Sequence, residues 1–204
     1  MNIFFSALYR IMEWISRFAY IQILWLLFTL LGLGLLGFFP ATISMLAVMR
    51  DWFLGKPDSP IFRTFWSYYK KEFIRANLFG MIIVLFISTV AINLFFIRMN
   101  EHVFSINVVL SAISLFIIVY ILYLLPAYTH FDLKFWPLFK NAFLILLVSP
   151  FETLAIIVSL IALSIIIKFI PAIGFIFGIS LSAFISLWGA LHAFNKVLKS
   201  KRNT

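Results

Sequence analysis

Long runs without a charged side chain constrain this chain more than any other feature. Roughly 18–49, 77–97, 103–128 and 172–195 contain none, and 141–167 contains only Glu152. Each run supplies the ~20 residues that a helix rising about 1.5 Å per residue needs to cross a hydrocarbon core of roughly 30 Å. In such a medium every backbone N–H and C=O must find its partner inside the protein, and helices meet that demand segment by segment. The expected fold is all-α: a polytopic membrane protein with about five transmembrane helices plus amphipathic interfacial helices, forming one membrane domain over 1–204. With 64% hydrophobic and 11% charged residues and a mean hydropathy of +1.11, a soluble enzyme and a disordered chain are excluded. The absence of cysteine removes disulfides, thiolate nucleophiles and Cys-based zinc sites.

The net charge of +9 would suggest nucleic acid in a soluble protein, but the basic residues lie in the short segments between apolar runs. They are topology signals, and no nucleic-acid partner is expected. With five spans, Arg10, Arg17, Arg98 and Lys168 share the side of the N-terminus, and the other twelve Lys and Arg lie opposite. The positive-inside rule then puts the N-terminus outside and the C-terminus in the cytoplasm of a cell-membrane protein. Met1-Asn2-Ile3-Phe4-Phe5 lacks a basic leader, so no cleaved signal peptide is expected.

The first run is too long for one straight crossing. It holds Gly32, Gly34, Gly37 and Pro40, so a break is expected near Phe38–Pro40, with a helix continuing over 41–52. Upstream, Phe4, Leu8, Ile11, Ile15 and Phe18 recur at helical spacing opposite Ser6, Arg10, Glu13 and Arg17, which predicts an interfacial helix over 1–17. A second amphipathic segment follows Ser59-Pro60, a good helix start, with Phe62, Phe65, Trp66, Tyr69 and Phe73 opposite Arg63, Ser67, Lys70 and Lys71. Its Phe65-Trp66, Lys70 and Phe73 recur as Phe135-Trp136, Lys140 and Phe143, an offset of 70 residues. Two readings stay open: a parallel internal repeat of the kind transporters use, or independent recurrence of residues that interfaces favour.

Signatures of chemistry are sparse. His-Glu-x-x-His, phosphate-binding glycine loops and Gly-x-Ser-x-Gly are absent, so no catalytic residue, cofactor or metal is expected, and the chain reads as non-enzymatic. His130 and Asp132 could hold a metal or phosphate, and otherwise read as a solvated loop end. Glu152 interrupts an apolar run, which marks a functional polar site by default. Ser149, Pro150 and Glu152 also spell a capping box at a restarted helix, in which Glu152 serves architecture alone. Gly174, Gly178, Ser182, Ser186 and Ala190 recur every four residues, a face for close helix packing against the same chain, a second copy or another protein.

Trp25-Leu26-Leu27-Phe28, the stretch Gly37-Phe38-Phe39-Pro40-Ala41-Thr42 through Met49-Arg50, and Phe65-Trp66 to Phe73 resemble the YesL family of bacterial integral membrane proteins of unknown function. The likeness covers about the first 80 residues, with Gly37 and Pro40 separated by two phenylalanines. Such proteins are often encoded beside carbohydrate ABC importers, so the resemblance implies a role in sugar uptake. The permease coupling signature, Glu-Ala-Ala with a distal Gly, is absent. The expected function is an accessory or assembly subunit bound in the bilayer to sugar ABC importer subunits, or self-associated as a homo-oligomer. A small transporter or channel would need Glu152, Asn93, Asn107, Ser111 and Ser114 to converge on one cavity. A membrane sensor or regulator would instead use the basic segments to engage anionic lipid or a soluble partner.

Overall fold

The computed structural model describes residues 3–99, 104–131 and 135–202, and the side chains within them except at positions 3, 4, 104, 195 and 197–202. Among the described residues seven helices follow one another: α1 (Ile3–Leu31), α2 (Leu35–Phe53), α3 (Ile61–Met99), α4 (Phe104–His130), α5 (Phe135–Val148), α6 (Pro150–Phe169) and α7 (Pro171–Arg202). α1, α3, α4, α6 and α7 are each long and apolar enough to cross a membrane, the number expected. The protein is an all-α, multi-pass membrane protein.

The boundaries differ from the expectation in an informative way. The first apolar run does not break near Pro40. It breaks at Gly32–Gly34, where α1 ends in a Schellman motif: the Gly34 N–H donates to the Thr29 carbonyl at 2.9 Å and the Leu33 N–H to the Leu30 carbonyl at 3.0 Å. The left-handed position of that motif is Leu33, with φ of 59°, where glycine is usual. Glycine is needed one residue earlier, because a Cβ on Gly32 would lie 2.3 Å from the Gly37 Cα. α2 ends in the same motif with Gly55 in the left-handed position, its Lys56 N–H reaching the Asp51 carbonyl at 3.0 Å.

The turn folds α2 antiparallel against α1. Trp25 Nε1 donates to Thr42 Oγ1 at 3.0 Å, Trp14 and Phe18 meet Trp52 edge-on, and Arg17 bonds the Pro57 carbonyl and Asp58. The chain is thus brought back beside the middle of α1, at Trp14–Phe18. Pro40 remains inside α2 because its cost is met from elsewhere. Lacking an N–H, Pro40 leaves the Leu36 carbonyl without its helical donor, and Asn77 Nδ2 of α3 supplies one at 3.0 Å.

Residues 3–17 are the first half of α1, the preceding two lying outside the described residues, and the aromatic segment around Phe65 is the first half of α3. Neither is a separate helix. Phe65 is fully buried, and Phe28 of α1 covers the stripe, 5.2 Å from Phe65, 5.3 Å from Trp66 and 4.9 Å from Tyr69. From there α3, α4, the α5–α6 pair and α7 alternate in direction. Asn93 meets Ser114 and Phe79 meets Tyr128 across α3 and α4; Phe116 meets Phe143 across α4 and α5. Across α6 and α7 a Cβ on Gly174 would lie 2.6 Å from Ile167, and one on Gly189 2.3 Å from Ile156. α1 is tied to α7 by the buried Gln22, whose Oε1 accepts the Ser180 N–H at 2.9 Å.

The 70-residue offset extends beyond the aromatic motif. Shifting α3 by 70 gives 131–169, which brackets α5 and α6, and shifting α4 gives 174–200, within α7. The second unit is therefore a long helix interrupted at Ser149-Pro150, paired with its returning partner, as the repeat reading requires.

Because a Cβ at position 32 would meet backbone, while one at 178 finds only Ile167 Cδ1 at 3.8 Å, we expect Gly32→Ala to destabilise the protein by about 1–3 kcal/mol. Gly178→Ala should be nearly neutral. Unfolding midpoints in detergent compare the two.

Candidate functional site

Polar side chains gather in a crevice of about 230 Å³ where the last turns of α2, one face of α3 and the end of α4 converge. α2 contributes Arg50. Tyr68, Lys71, Glu72 and Arg75 share one face of α3, spaced three, four and seven residues apart. α4 contributes Tyr128 to His130.

Arg50 organises the site. The carbonyls of the last turn of a helix have no helical donor and carry the negative end of its dipole. The Arg50 Nη1 donates to one of these, the Thr129 carbonyl of α4. Its Nη2 donates to Tyr68 Oη at 2.8 Å and to Asp51 at 3.1 Å, and the guanidinium lies 5.7 Å from the Tyr68 ring centre. One side chain thereby ties together α2, α3 and α4. Opposite it, the Tyr128 hydroxyl donates to Glu72 Oε2 at 2.8 Å. The Arg75 guanidinium lies over the rings of Tyr128 and Phe135, 5.4 and 5.8 Å from their centres. Cations and hydroxyl donors predominate, which suits the crevice to binding an anion.

His130 lines this crevice, its ring 5.2 Å from that of Phe194; Asp132 lies outside the described residues. No group of three His, Cys, Asp or Glu side chains is gathered for a metal among the described residues. The capping box does not form as spelled. α6 does restart with Pro150 in its first turn, but Ser149 is fully buried and its Oγ has no partner among the described residues. Glu152 instead takes a 3.0 Å hydrogen bond from Lys196 of α7. Asn93 donates to Ser114 at 3.4 Å between α3 and α4, and Ser111 is exposed.

The small-residue face on α7 has its partner within the chain. Gly174 packs on Ile167 of α6, Ala190 is fully buried, and Ser182 and Ser186 bond back to the carbonyls of Gly178 and Ser182. Those two serines border a second cavity, about 330 Å³, lined by residues of α2, α3, α4, α6 and α7 and open to the outside of the bundle beside the exposed Phe38 and Ile87. Its walls, including Phe39, Leu46, Ile87, Leu122 and Leu160, are almost wholly apolar. In the aromatic motif, Lys70 lies over Trp66 at 4.9 Å and Phe73 meets Tyr69 at 5.5 Å. In its second copy Phe143 meets Phe116, while Trp136 is 81% exposed.

Removing the Arg50 side chain leaves the end of α4 and the Tyr68 hydroxyl without their donor. Arg50→Ala should cost about 1.5–3 kcal/mol, the range for hydrogen bonds to a charged group. Arg50→Lys should recover only part of it, because one ammonium cannot reproduce the planar fork. Denaturation in detergent micelles measures both.

A family model described as "Protein of unknown function, DUF624" matches residues 18–94, which include the α2 and α3 walls of the crevice. Three proteins of Bacillus subtilis (strain 168), each described as uncharacterized, are similar over most of their length. YteU is 36% identical over 178 residues, 86% of this chain and 79% of YteU. YesL is 36% identical over 154 residues, 73% and 71% of the two chains. YesV is 31% identical over 193 residues, 94% and 93%. No solved structure matches. With the aromatic and glycine-proline segments in the matched region and relatives aligned along most of the chain, this protein belongs to the YesL-like DUF624 family of unknown function.

Proposed function

We propose that the chain is a non-enzymatic accessory or assembly subunit of the membrane, binding a partner rather than conducting a solute, and that the partner is a carbohydrate ABC importer. The observation that supports binding over conduction is the apolar cavity between the helices. A conduit for a polar solute needs polar groups along its walls, and this cavity is lined by Phe, Leu and Ile, with Thr42, Ser182 and Ser186 bonded back to their own helices. Glu152 and the Asn93–Ser114 pair occupy different helix contacts and do not meet there. The resemblance to YesL-type proteins supplies the class of partner.

We also propose an orientation, from the helix path and the distribution of charge. α2 returns the chain to the level of Trp14–Phe18 of α1, so a path in which α3, α4, the α5–α6 unit and α7 each cross would have both termini on one side. Fourteen of the sixteen Lys and Arg then share that side, and only Arg98 and Lys168 lie opposite. This asymmetry exceeds the twelve to four of a five-crossing path, and the positive-inside rule makes the shared side cytoplasmic. On this path both ends are proposed to lie inside, where the five-span reading has the N-terminus outside.

Reporters fused at either end should be active in the cytoplasm, and external activity at the N-terminus would reject the hairpin path. Affinity purification in mild detergent should recover importer permease subunits with the chain, and their consistent absence counts against the accessory role. Glu152→Gln should leave sugar uptake unchanged at normal abundance, since Gln still accepts a hydrogen bond from Lys196; lost uptake would favour a conduit.

A further inference from the structure

The crevice holds more donor capacity than its own partners use. Arg50 spends its terminal nitrogens on Thr129, Asp51 and Tyr68, yet its Nε is buried without a partner among the described residues. The Tyr68 hydroxyl accepts from Arg50, which leaves its own proton to donate. Lys71, on the same face of α3, is exposed and also borders a shallow groove that includes Arg63 and Lys70. The one carboxylate on the wall, Glu72, is engaged by Tyr128.

A guanidinium, an ammonium and a phenol facing one small space form a donor set suited to phosphate oxygens, because charge-assisted bonds to such oxygens are the strong ones. At about 230 Å³ the crevice lies below the ~300–1,000 Å³ usual for drug-sized ligands, so it fits a charged head with the remainder of the molecule outside. Basic pockets between membrane helices bind anionic lipid headgroups by this chemistry. We propose that the crevice between α2, α3 and α4 binds a phosphate ester through Arg50, Lys71 and Tyr68. The headgroup of an anionic phospholipid and a free phosphate compound share this chemistry.

The test uses the full chain, purified in an uncharged detergent and titrated separately with dihexanoyl phosphatidic acid, dihexanoyl phosphatidylcholine and inorganic phosphate. Tryptophan fluorescence gives the dissociation constants. Lys71→Ala and Tyr68→Phe remove single donors, with Lys71 exposed so that folding is spared, and Lys140→Ala removes a cation on α5. Phosphatidic acid should bind more tightly than phosphatidylcholine, with affinity weakened roughly tenfold by Lys71→Ala and about threefold by Tyr68→Phe, and unchanged by Lys140→Ala. Tighter binding of phosphatidic acid than of inorganic phosphate identifies a lipid source. Equal binding of the two, with the same losses in the variants, identifies a free phosphate compound. Unchanged affinity in Lys71→Ala, or an equal loss in Lys140→Ala, overturns the proposal.

Discussion

Everything in this structure depends on supplying backbone groups with partners in a medium that offers no water. Where proline removes a donor from α2, Asn77 of the next helix restores it at the Leu36 carbonyl. Where α4 ends, Arg50 of α2 donates to Thr129. Both remedies come from another helix, so the same bonds that satisfy the backbone also fix how α2, α3 and α4 sit against one another. Unpaired amides and carbonyls cost several kcal/mol each in hydrocarbon, which makes the Asn77 contact a stronger organiser than a single bond suggests.

The apolar runs are legible because length and charge alone decide them. The hairpin is not, because its turn carries no polar residue. Leu30, Leu31, Leu33, Leu35 and Leu36 surround the two glycines, and hydropathy runs through the reversal without a dip. Pro40 marks the break instead on local grounds, since its helix-breaking tendency is local, while the Asn77 that compensates for it lies 37 residues further on. Local spelling misleads again at Ser149 and Glu152, where Lys196 claims the carboxylate that the capping box would have used. The small-residue face on α7 is readable from spacing, but its partner is not; Ile167 of α6 becomes visible only when the two helices are paired.

The crevice illustrates a further limit of reading along the chain. Arg50, Lys71 and Arg75 stand in the sequence as topology charges, and Tyr68 and Tyr128 belong to no motif there. Only the convergence of three helix segments turns them into one site. The 70-residue offset explains why the second unit lacks a counterpart. Positions 68, 71 and 75 correspond to Leu138, Asn141 and Ile145 of α5, two buried apolar residues and an uncharged amide. The two units share an architecture, and the first alone carries the cationic face.

The Asn77 bond also has a consequence in time. A chain is made from its N-terminus, so α1 and α2 leave the ribosome before α3 exists. Until residue 77 emerges, the Leu36 carbonyl has no protein donor, and the hairpin carries an open polar group beside its apolar turn. Arrival of α3 closes that gap and lays Tyr69 onto the Phe28 carbonyl at 3.1 Å. Pro40 thus makes the backbone of the first hairpin depend on the helix that follows it, because the donor for Leu36 is carried 41 residues downstream of that carbonyl.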